Sequence, residues 1–189
     1  MNEKNLRRMQ TAKHWRRLFT GSINYSGVLL IDMQEEFLKR FEDQRVVDDL
    51  ISAQLEVLEY CRKNSFKVFV LEYRNSGETD KIIKNNLGEI DYRTVVKKCN
   101  DGFLGTDLVD ILSISKISHV YIMGINMGSC VLTTAESAVF NGFEVSTAKT
   151  VISQPKYCLR GSLWVPDFSW FEKNTNLYKD HKNLDEILK

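Results

Sequence analysis

The stretch that decides the fold is Val28-Leu29-Leu30-Ile31-Asp32. A short, continuous apolar run of this kind is typical of a strand buried on both faces of a parallel sheet. Four later segments have the same character and predict further strands: 66–71 (FKVFVL), 94–96 (TVV), 119–123 (HVYIM) and 143–151. Because Asp32 follows the first run directly, its side chain is placed at the carboxyl edge of the sheet, where open α/β proteins hold their ligands.

Helical patterns alternate with these strands. Apolar residues recur at helical spacing from Val46 to Lys63, and shorter helices are predicted at 79–87, after Thr106 as N-cap, at 129–140 and at 183–189. Strands that alternate with helices form right-handed βαβ units. The sequence therefore predicts a three-layer α/β/α fold with a mostly parallel sheet of five or six strands. The aromatic stretch that includes residues 162–171 fits no class.

Length and charge favour one domain with a short extension. The chain has 189 residues, 43% of them hydrophobic, and a net charge of +1, which argues against a disordered chain and an overall basic nucleic-acid binder. Residues 1–22 hold six basic residues against one acidic residue, so we divide the chain into a basic N-terminal extension, 1–22, and a domain, 23–189. No apolar run approaches the ~18 residues of a membrane helix. We expect a cytoplasmic protein; the alternative is that the extension directs it to an organelle.

The cysteines and histidines indicate neither a metal site nor a disulfide framework. Four cysteines form no CxxC pair, and the three histidines, His14, His119 and His181, have no ligand spacing with one another. The sequence predicts free thiols, no metal and no cofactor.

Three reactive side chains converge at the predicted edge of the sheet. The first strand ends at Asp32, the third at Lys97 and Lys98, and Cys130 begins the helix that follows the fourth strand. A cysteine in the first turn of a helix, beside an ammonium group, is favoured as the thiolate. We therefore expect Cys130 to react with iodoacetamide at mildly acidic pH before the other three cysteines, Cys61, Cys99 and Cys158. Each residue also has a structural interpretation: a helix cap for the aspartate, a small buried side chain for the cysteine, and solvated lysines.

Three sequence blocks resemble the isochorismatase-like cysteine hydrolases, a superfamily that includes nicotinamidases and N-carbamoylsarcosine amidases. They are VLLIDMQEEF at 28–37, VVKKCNDGFLGTDL at 95–108 and VYIMGINMGSCVLTTAESAVFNG at 120–142. The blocks occur in the order and at the spacing of that family, and with their connections cover about residues 27–153.

The resemblance assigns roles to individual residues. It implies that Asp32 is the general base, Lys97 the triad lysine and Cys130 the nucleophile. It further implies a cis peptide bond between Ile125 and Asn126, which would aim the backbone N–H groups of Asn126 and Cys130 at a developing oxyanion.

The resemblance also points to a substrate pocket. Gln34 and Phe37 match pocket positions, although Gln34 is equally suited to cap a helix and Phe37 to fill the core. Phe103 and Met127 are expected in the same pocket, but Met127-Gly128 stands where the family usually has Thr-Asp or a similar pair, so the substrate contacts of that turn are altered. Arg74 follows the second strand, and its guanidinium group is suited to bind a substrate carboxylate through two hydrogen bonds. The alternative interpretation is that Arg74 is an ordinary surface residue. The histidines that bind metal in nicotinamidases have no counterpart in residues 68–80, so nicotinamide is disfavoured as the substrate.

Together these features predict a metal-free cysteine hydrolase that cleaves a C–N bond of a small amide or ureido compound through a thioester. The alternatives are hydrolysis of an isochorismate-like vinyl ether with the aspartate as acid, and a non-catalytic scaffold or binding protein of the same fold. The expected partners are a small-molecule substrate and, by analogy with the family, further copies of the chain, with no nucleic acid and no membrane.

Overall fold

A computed structural model describes residues 25–155 and 167–188 of the chain, which hold a parallel sheet of seven strands. The strands are β1 (Tyr25–Ile31), β2 (Lys67–Tyr73), β3 (Tyr92–Lys97), β4 (Ile117–Ile125), β5 (Glu144–Ala148), β6 (Ile152–Ser153) and β7 (Asn176–Tyr178). Their order is β3-β2-β1-β4-β5-β7, and β6 pairs with the end of β4. The predicted α/β/α class is confirmed, with one strand more than the predicted upper number, because the short β6 and β7 carry no long apolar run.

The apolar run of the first strand lies at the centre of this sheet. Residues Val28 to Ile31 are 0% exposed. β1 pairs with β2 on one side, at Ile31↔Leu71, and with β4 on the other, at Ile31↔Gly124. Gly124 has φ +142, and a Cβ atom on it would collide with the Ile31 carbonyl oxygen. Glycine therefore lets β4 approach β1 closely, immediately before Asp32.

The helices cover the sheet. They are α1 (Glu35–Leu38), α2 (Gln44–Asn64), α3 (Lys81–Leu87), α4 (Leu108–Ile114), α5 (Leu132–Phe140), α6 (Ser169–Asn174) and α7 (Leu184–Ile187). The longest, α2, begins at Asp43, whose carboxylate accepts from Arg45 N at 3.0 Å, and ends at Ser65 in the left-handed region. None of the helices in the two described ranges is long and apolar enough to cross a membrane.

Three predicted boundaries differ from the structure. The helix predicted at 129–140 is a π-helical turn, Met127–Val131, followed by α5. The strand predicted at 143–151 is shorter and is separated from β6 by a turn. Asp107 rather than Thr106 is the N-cap of α4, although Thr106 Oγ1 accepts from Leu108 N at 3.4 Å. The predicted extension 1–22 and residues 162–166 of the aromatic segment lie outside the described residues.

Candidate active site

Asp32 lies directly beyond β1, buried at the carboxyl edge of the sheet. It has φ 54, and its N–H donates to the Leu71 carbonyl of β2 at 2.9 Å. This contact fixes the backbone in a left-handed conformation that is unusual for a residue other than glycine. The side chain is 0% exposed. Backbone strain of this kind is typical of functional positions.

Lys97 is the charged partner of this aspartate. Its Nζ donates to Asp32 Oδ2 at 2.8 Å and to the Cys99 carbonyl at 3.2 Å, and both side chains of the ion pair are 0% exposed. Tyr73, the register partner of Lys97 on β2, places its ring centroid 4.5 Å from the ammonium nitrogen. Lys98, the first residue after β3, is exposed.

Cys130 lies in the π-helical turn and is 3% exposed. Its thiol donates to Asn100 Oδ1, with Sγ and Oδ1 3.5 Å apart. Asn100 in turn donates from Nδ2 to Ser129 Oγ at 2.9 Å. The asparagine therefore bridges the nucleophile candidate and the residue before it.

Burial dominates the electrostatics of Asp32. Desolvation raises the pKa of Asp32 above its usual value, while the Lys97 ammonium and the Cys130 thiol oppose this shift. Oδ2 accepts from Lys97, whereas Oδ1 is buried and has no hydrogen-bond partner among the described residues. A buried acceptor without a partner costs free energy, and a catalytic role is one reason for a protein to keep it.

The prediction that Cys130 is a thiolate is wrong for the resting protein. Burial, followed by the negative charge of Asp32, raises the pKa of Cys130 to about 12, and Lys97 counteracts this only in part. The Cys130 thiol is therefore protonated at neutral pH. Early alkylation at mildly acidic pH does not follow from this site, and the sequence argument failed because it left out desolvation and the neighbouring carboxylate.

The turn before Cys130 differs from the expectation in one bond. Among the described residues there is no cis peptide bond, so the predicted cis bond between Ile125 and Asn126 is absent. Instead, Asn126 turns the chain with φ 18 and ψ 85, and its carbonyl accepts from Ser129 N at 2.9 Å and Val131 N at 3.2 Å. The N–H of Gly128 donates to Gln154 Oε1 at 2.7 Å.

Two predicted pocket residues have structural roles. Gln34 is 0% exposed. Its Nε2 donates to the Tyr73 carbonyl at 3.0 Å and to the Gly77 carbonyl at 2.6 Å. Its Oε1 accepts from Tyr73 N at 2.7 Å. These contacts tie the end of β1 to the loop after β2. Phe37 packs edge-on against Tyr73, with ring centroids 6.2 Å apart. It thus supports the ring that contacts Lys97.

The other predicted pocket residues are divided between core and surface. Phe103 is 7% exposed and packs on Phe143, with centroids 5.7 Å apart, and Met127 is 2% exposed within the π-helical turn. Arg74 is exposed, and its backbone N–H donates to the Lys97 carbonyl at 2.9 Å. Its side chain is therefore on the surface beside the edge that holds Lys97.

Sequence reasoning missed three contributors: Tyr73, Asn100 and Gln154. The position of Tyr73 at the end of β2 was a usable signal, since the carboxyl ends of neighbouring strands meet at the same edge. Nothing in the sequence indicated the other two contacts. In residues 25–155 and 167–188, no group of three His, Cys, Asp or Glu residues is arranged to hold a metal ion.

A family model matches the part of the sequence that holds this site. The isochorismatase domain model matches residues 26–153, which include Asp32, Lys97 and Cys130. The chain belongs to the isochorismatase family of hydrolases. No curated protein matches the sequence significantly.

Solved structures share the fold at low identity. A nicotinamidase from Staphylococcus aureus is 21% identical, with a TM-score of 0.58, over 69% of this chain and 84% of that one. An N-carbamoylsarcosine amidase from Thermoplasma acidophilum is 16% identical, with a TM-score of 0.68, over 82% and 95%. The MAR1 ribonuclease from Caenorhabditis elegans is 22% identical, with a TM-score of 0.62, over 71% and 69%. Such similarity shows the fold and leaves the substrate open.

Proposed function

We propose that this protein is a cysteine amidohydrolase that cleaves a C–N bond of a small amide or ureido compound. The observation that carries the proposal is the buried ion pair between Asp32 and Lys97, with 2.8 Å between Oδ2 and Nζ. The second carboxylate oxygen of Asp32 has no hydrogen-bond partner in the described part of the chain, and the carboxylate raises the pKa of Cys130. Two of the structurally similar proteins are named as a nicotinamidase and an N-carbamoylsarcosine amidase, which supports C–N cleavage.

The first half of the proposed reaction forms a thioester. Cys130 Sγ attacks the carbonyl carbon of the substrate while its proton passes to Asp32 Oδ1, and the carbonyl π electrons move onto oxygen. A thiol with its pKa raised to about 12 needs such a base, because it does not ionise by itself at neutral pH. When the carbonyl re-forms, the C–N bond breaks and Asp32 returns the proton to the departing nitrogen.

The second half hydrolyses the thioester. Water attacks the acyl carbon, Asp32 accepts its proton, and Cys130 Sγ leaves and is reprotonated. The Lys97 ammonium stabilises the ionised Asp32 and the anionic intermediates. The turn from Asn126 to Cys130 supplies the backbone N–H donors for the oxyanion in this proposal.

A second candidate reaction is favoured by the electrostatics of Asp32. Because burial raises the pKa of Asp32, the carboxyl group can also be held protonated and act as an acid. Protonation of a vinyl ether by Asp32, followed by attack of water, needs no thiol. The two candidates therefore differ in their dependence on Cys130.

The test is a screen of small amides, ureas and hydroxamates for release of ammonia or an amine, with wild type and Cys130→Ala in parallel. The proposal predicts turnover by wild type, none by the variant, and a covalent acyl adduct on Cys130 when the reaction is quenched with acid. Hydrolysis of a vinyl ether that survives in Cys130→Ala would select the second candidate. Failure of both substrate classes would return the non-catalytic binding protein as the best interpretation.

A further inference from the structure

β3 is an edge strand of the sheet, and one side of it is open. Within residues 25–155 and 167–188, β3 ends the strand order and pairs with β2 alone. The Asp91 carbonyl, just before β3, accepts from Val68 N of β2 at 3.1 Å. Backbone groups alternate in direction from one residue to the next along a strand, so the N–H and carbonyl groups of Tyr92, Thr94 and Val96 point to the open edge.

The side chains of the same three residues are exposed and uncharged. Tyr92 is 41% exposed and Val96 is 55% exposed, and Thr94 lies exposed between them. Aromatic and β-branched residues favour strand pairing, whereas soluble proteins often protect a free edge with charges or with proline. This face of β3 carries neither kind of protection. The edge is therefore suited to receive a further strand.

The side-chain pattern of β3 complements itself when the strand is reversed. In an antiparallel pair of two β3 strands centred on Thr94, each Tyr92 lies opposite Val96 of the second copy, and the two threonines face one another. Pairs of an aromatic with a β-branched residue and pairs of threonines are both favourable cross-strand contacts. In this register the outward N–H group of each of the three residues also meets a carbonyl group of the second copy.

The charges at the two ends of β3 favour the same arrangement. Glu89 and Asp91 precede the strand and are 80% and 68% exposed at their side chains, and Lys98 follows the strand and is exposed. Antiparallel pairing brings the acidic end of one copy beside the basic end of the other. Such rim charges orient a partner more than they hold it. The charge within the strand is already paired, since Arg93 donates to Asp107 Oδ2 at 2.8 Å.

We propose that β3 is an interaction surface for a second copy of this chain, which pairs with it in antiparallel direction across a two-fold axis at Thr94 and joins the two sheets into one. Such a contact is isologous, because each copy contributes the same strand. The partner is a second copy rather than a foreign strand, since the hydrogen-bonding groups, the exposed side chains and the end charges of β3 each complement β3 itself. The inference concerns association and does not depend on the proposed reaction.

The test measures the mass of the full chain in solution, by size-exclusion chromatography with light scattering over a range of concentrations. Wild type should have the mass of two chains. Thr94→Lys sets two ammonium groups against each other at the axis, and Thr94→Glu sets two carboxylates there, so each variant should raise the dissociation constant of the dimer at least about tenfold. An equimolar mixture of the two variants pairs opposite charges and should recover the dimer. Melting curves verify that each variant is folded.

Ile114→Lys is the matched control. Ile114 is 83% exposed at the end of α4, just before β4, and two strands separate β4 from β3. The substitution adds the same charge away from the edge, so the mass should stay that of two chains. A monomeric wild type would overturn the proposal, as would dimeric Thr94 variants, a mixture that stays monomeric, or dissociation of the control.

Hydrogen exchange of wild type tests the pairing without any substitution. The N–H groups of Tyr92, Thr94 and Val96 should be protected in the dimer and lose this protection on dilution. The N–H groups of Arg93 and Val95 point to β2 and should stay protected at every concentration. If the protein is a dimer and the first three groups exchange freely, or if their protection is the same at all concentrations, the second copy binds elsewhere and the proposal is wrong.

Discussion

Two buried polar clusters lie at opposite ends of the central strands, and they are satisfied to different degrees. At the amino end, His119 of β4 lies between Ser26 of β1, 2.8 Å from Nδ1, and Ser146 of β5, 2.6 Å from Nε2. At the carboxyl end, Asp32 Oδ1 has no hydrogen-bond partner within residues 25–155 and 167–188. The first cluster uses both ring nitrogens to join three strands, whereas the second keeps an open acceptor beside a thiol. Complete pairing indicates a structural role here, and incomplete pairing indicates chemistry.

The strongest test of this contrast removes the open acceptor. Asp32→Asn keeps the size of the side chain and an oxygen for Lys97 but cannot take a proton. We expect turnover of any substrate found in the screen to fall about a thousandfold or more, within the range typical of a lost general base. Steady-state kinetics measures it. A variant within tenfold of wild type would remove Asp32 from the mechanism.

A smaller loss of activity is expected when the positive charge of Lys97, the ion-pair partner of Asp32, is removed. Lys97→Met should lower kcat about a hundredfold, as for loss of one preorganised electrostatic contact. Asp32 must be ionised to act as base, and its pKa is already raised by burial, so activity falls as pH falls through that pKa. Without Lys97 the pKa rises further, and the acidic limb of the pH–rate profile should move to higher pH.

Lys98→Met is the matched control, since Lys98 is the next residue in the chain and is exposed directly after the end of β3. Its turnover should stay within a few-fold of wild type. If Lys98→Met were the inactive variant and Lys97→Met the active one, the assignment of the ammonium to this site would be reversed. Melting curves are needed for both, because an unpaired buried Asp32 carboxylate also destabilises the fold.

A substitution in the His119 cluster, at the amino end of the strands, should lower stability instead of activity. His119→Ala removes an imidazole that two buried hydroxyls contact, and it leaves a cavity between three strands. We expect the free energy of unfolding to fall by about 2–4 kcal/mol while kcat stays within twofold of wild type. Urea denaturation and kinetics measure the two quantities. A large loss of kcat in a folded protein would mean that the two clusters are coupled.

The smallest effect concerns pH. Burial lowers the pKa of His119, so the unfolded chain binds its proton more readily than the folded one. Stability from this group is therefore complete above the ordinary histidine pKa and declines as pH falls through it toward the lower folded value, by at most about 1.4 kcal/mol per pH unit.

His119→Gln, which does not titrate, should show a smaller loss of unfolding free energy between about pH 7.5 and 5.5 than wild type. Equal losses in the two proteins would assign the pH dependence to other groups.

The sequence predicts the frame of the site well. Apolar runs that end on Asp32 and Lys97 placed these side chains at the same edge, because strand direction and alternation follow from local pattern. The protonation state of Cys130 could not be predicted in this way, since it depends on burial and on a carboxylate far away in the chain. The contacts of Asn100 and Gln154 arise from loops whose conformation no periodicity encodes. The prediction of a cis peptide bond before Asn126 was wrong for a related reason. It was taken from the resemblance to the family, and this chain does not adopt that bond geometry.

The π-helical turn at Met127–Val131 joins the end of β4 to the start of α5. A π-helical turn closes hydrogen bonds between residues five apart, here from Val131 N to the Asn126 carbonyl at 3.2 Å, so it is wider than a turn of an α-helix. The buried face of α5, with Thr134, Ala135 and Ala138, is set by packing on the sheet. The direction of the Cys130 side chain is set separately by the π-helical turn. Deleting one residue from the turn should therefore leave α5 docked on the sheet while turning the Cys130 thiol away from Asp32.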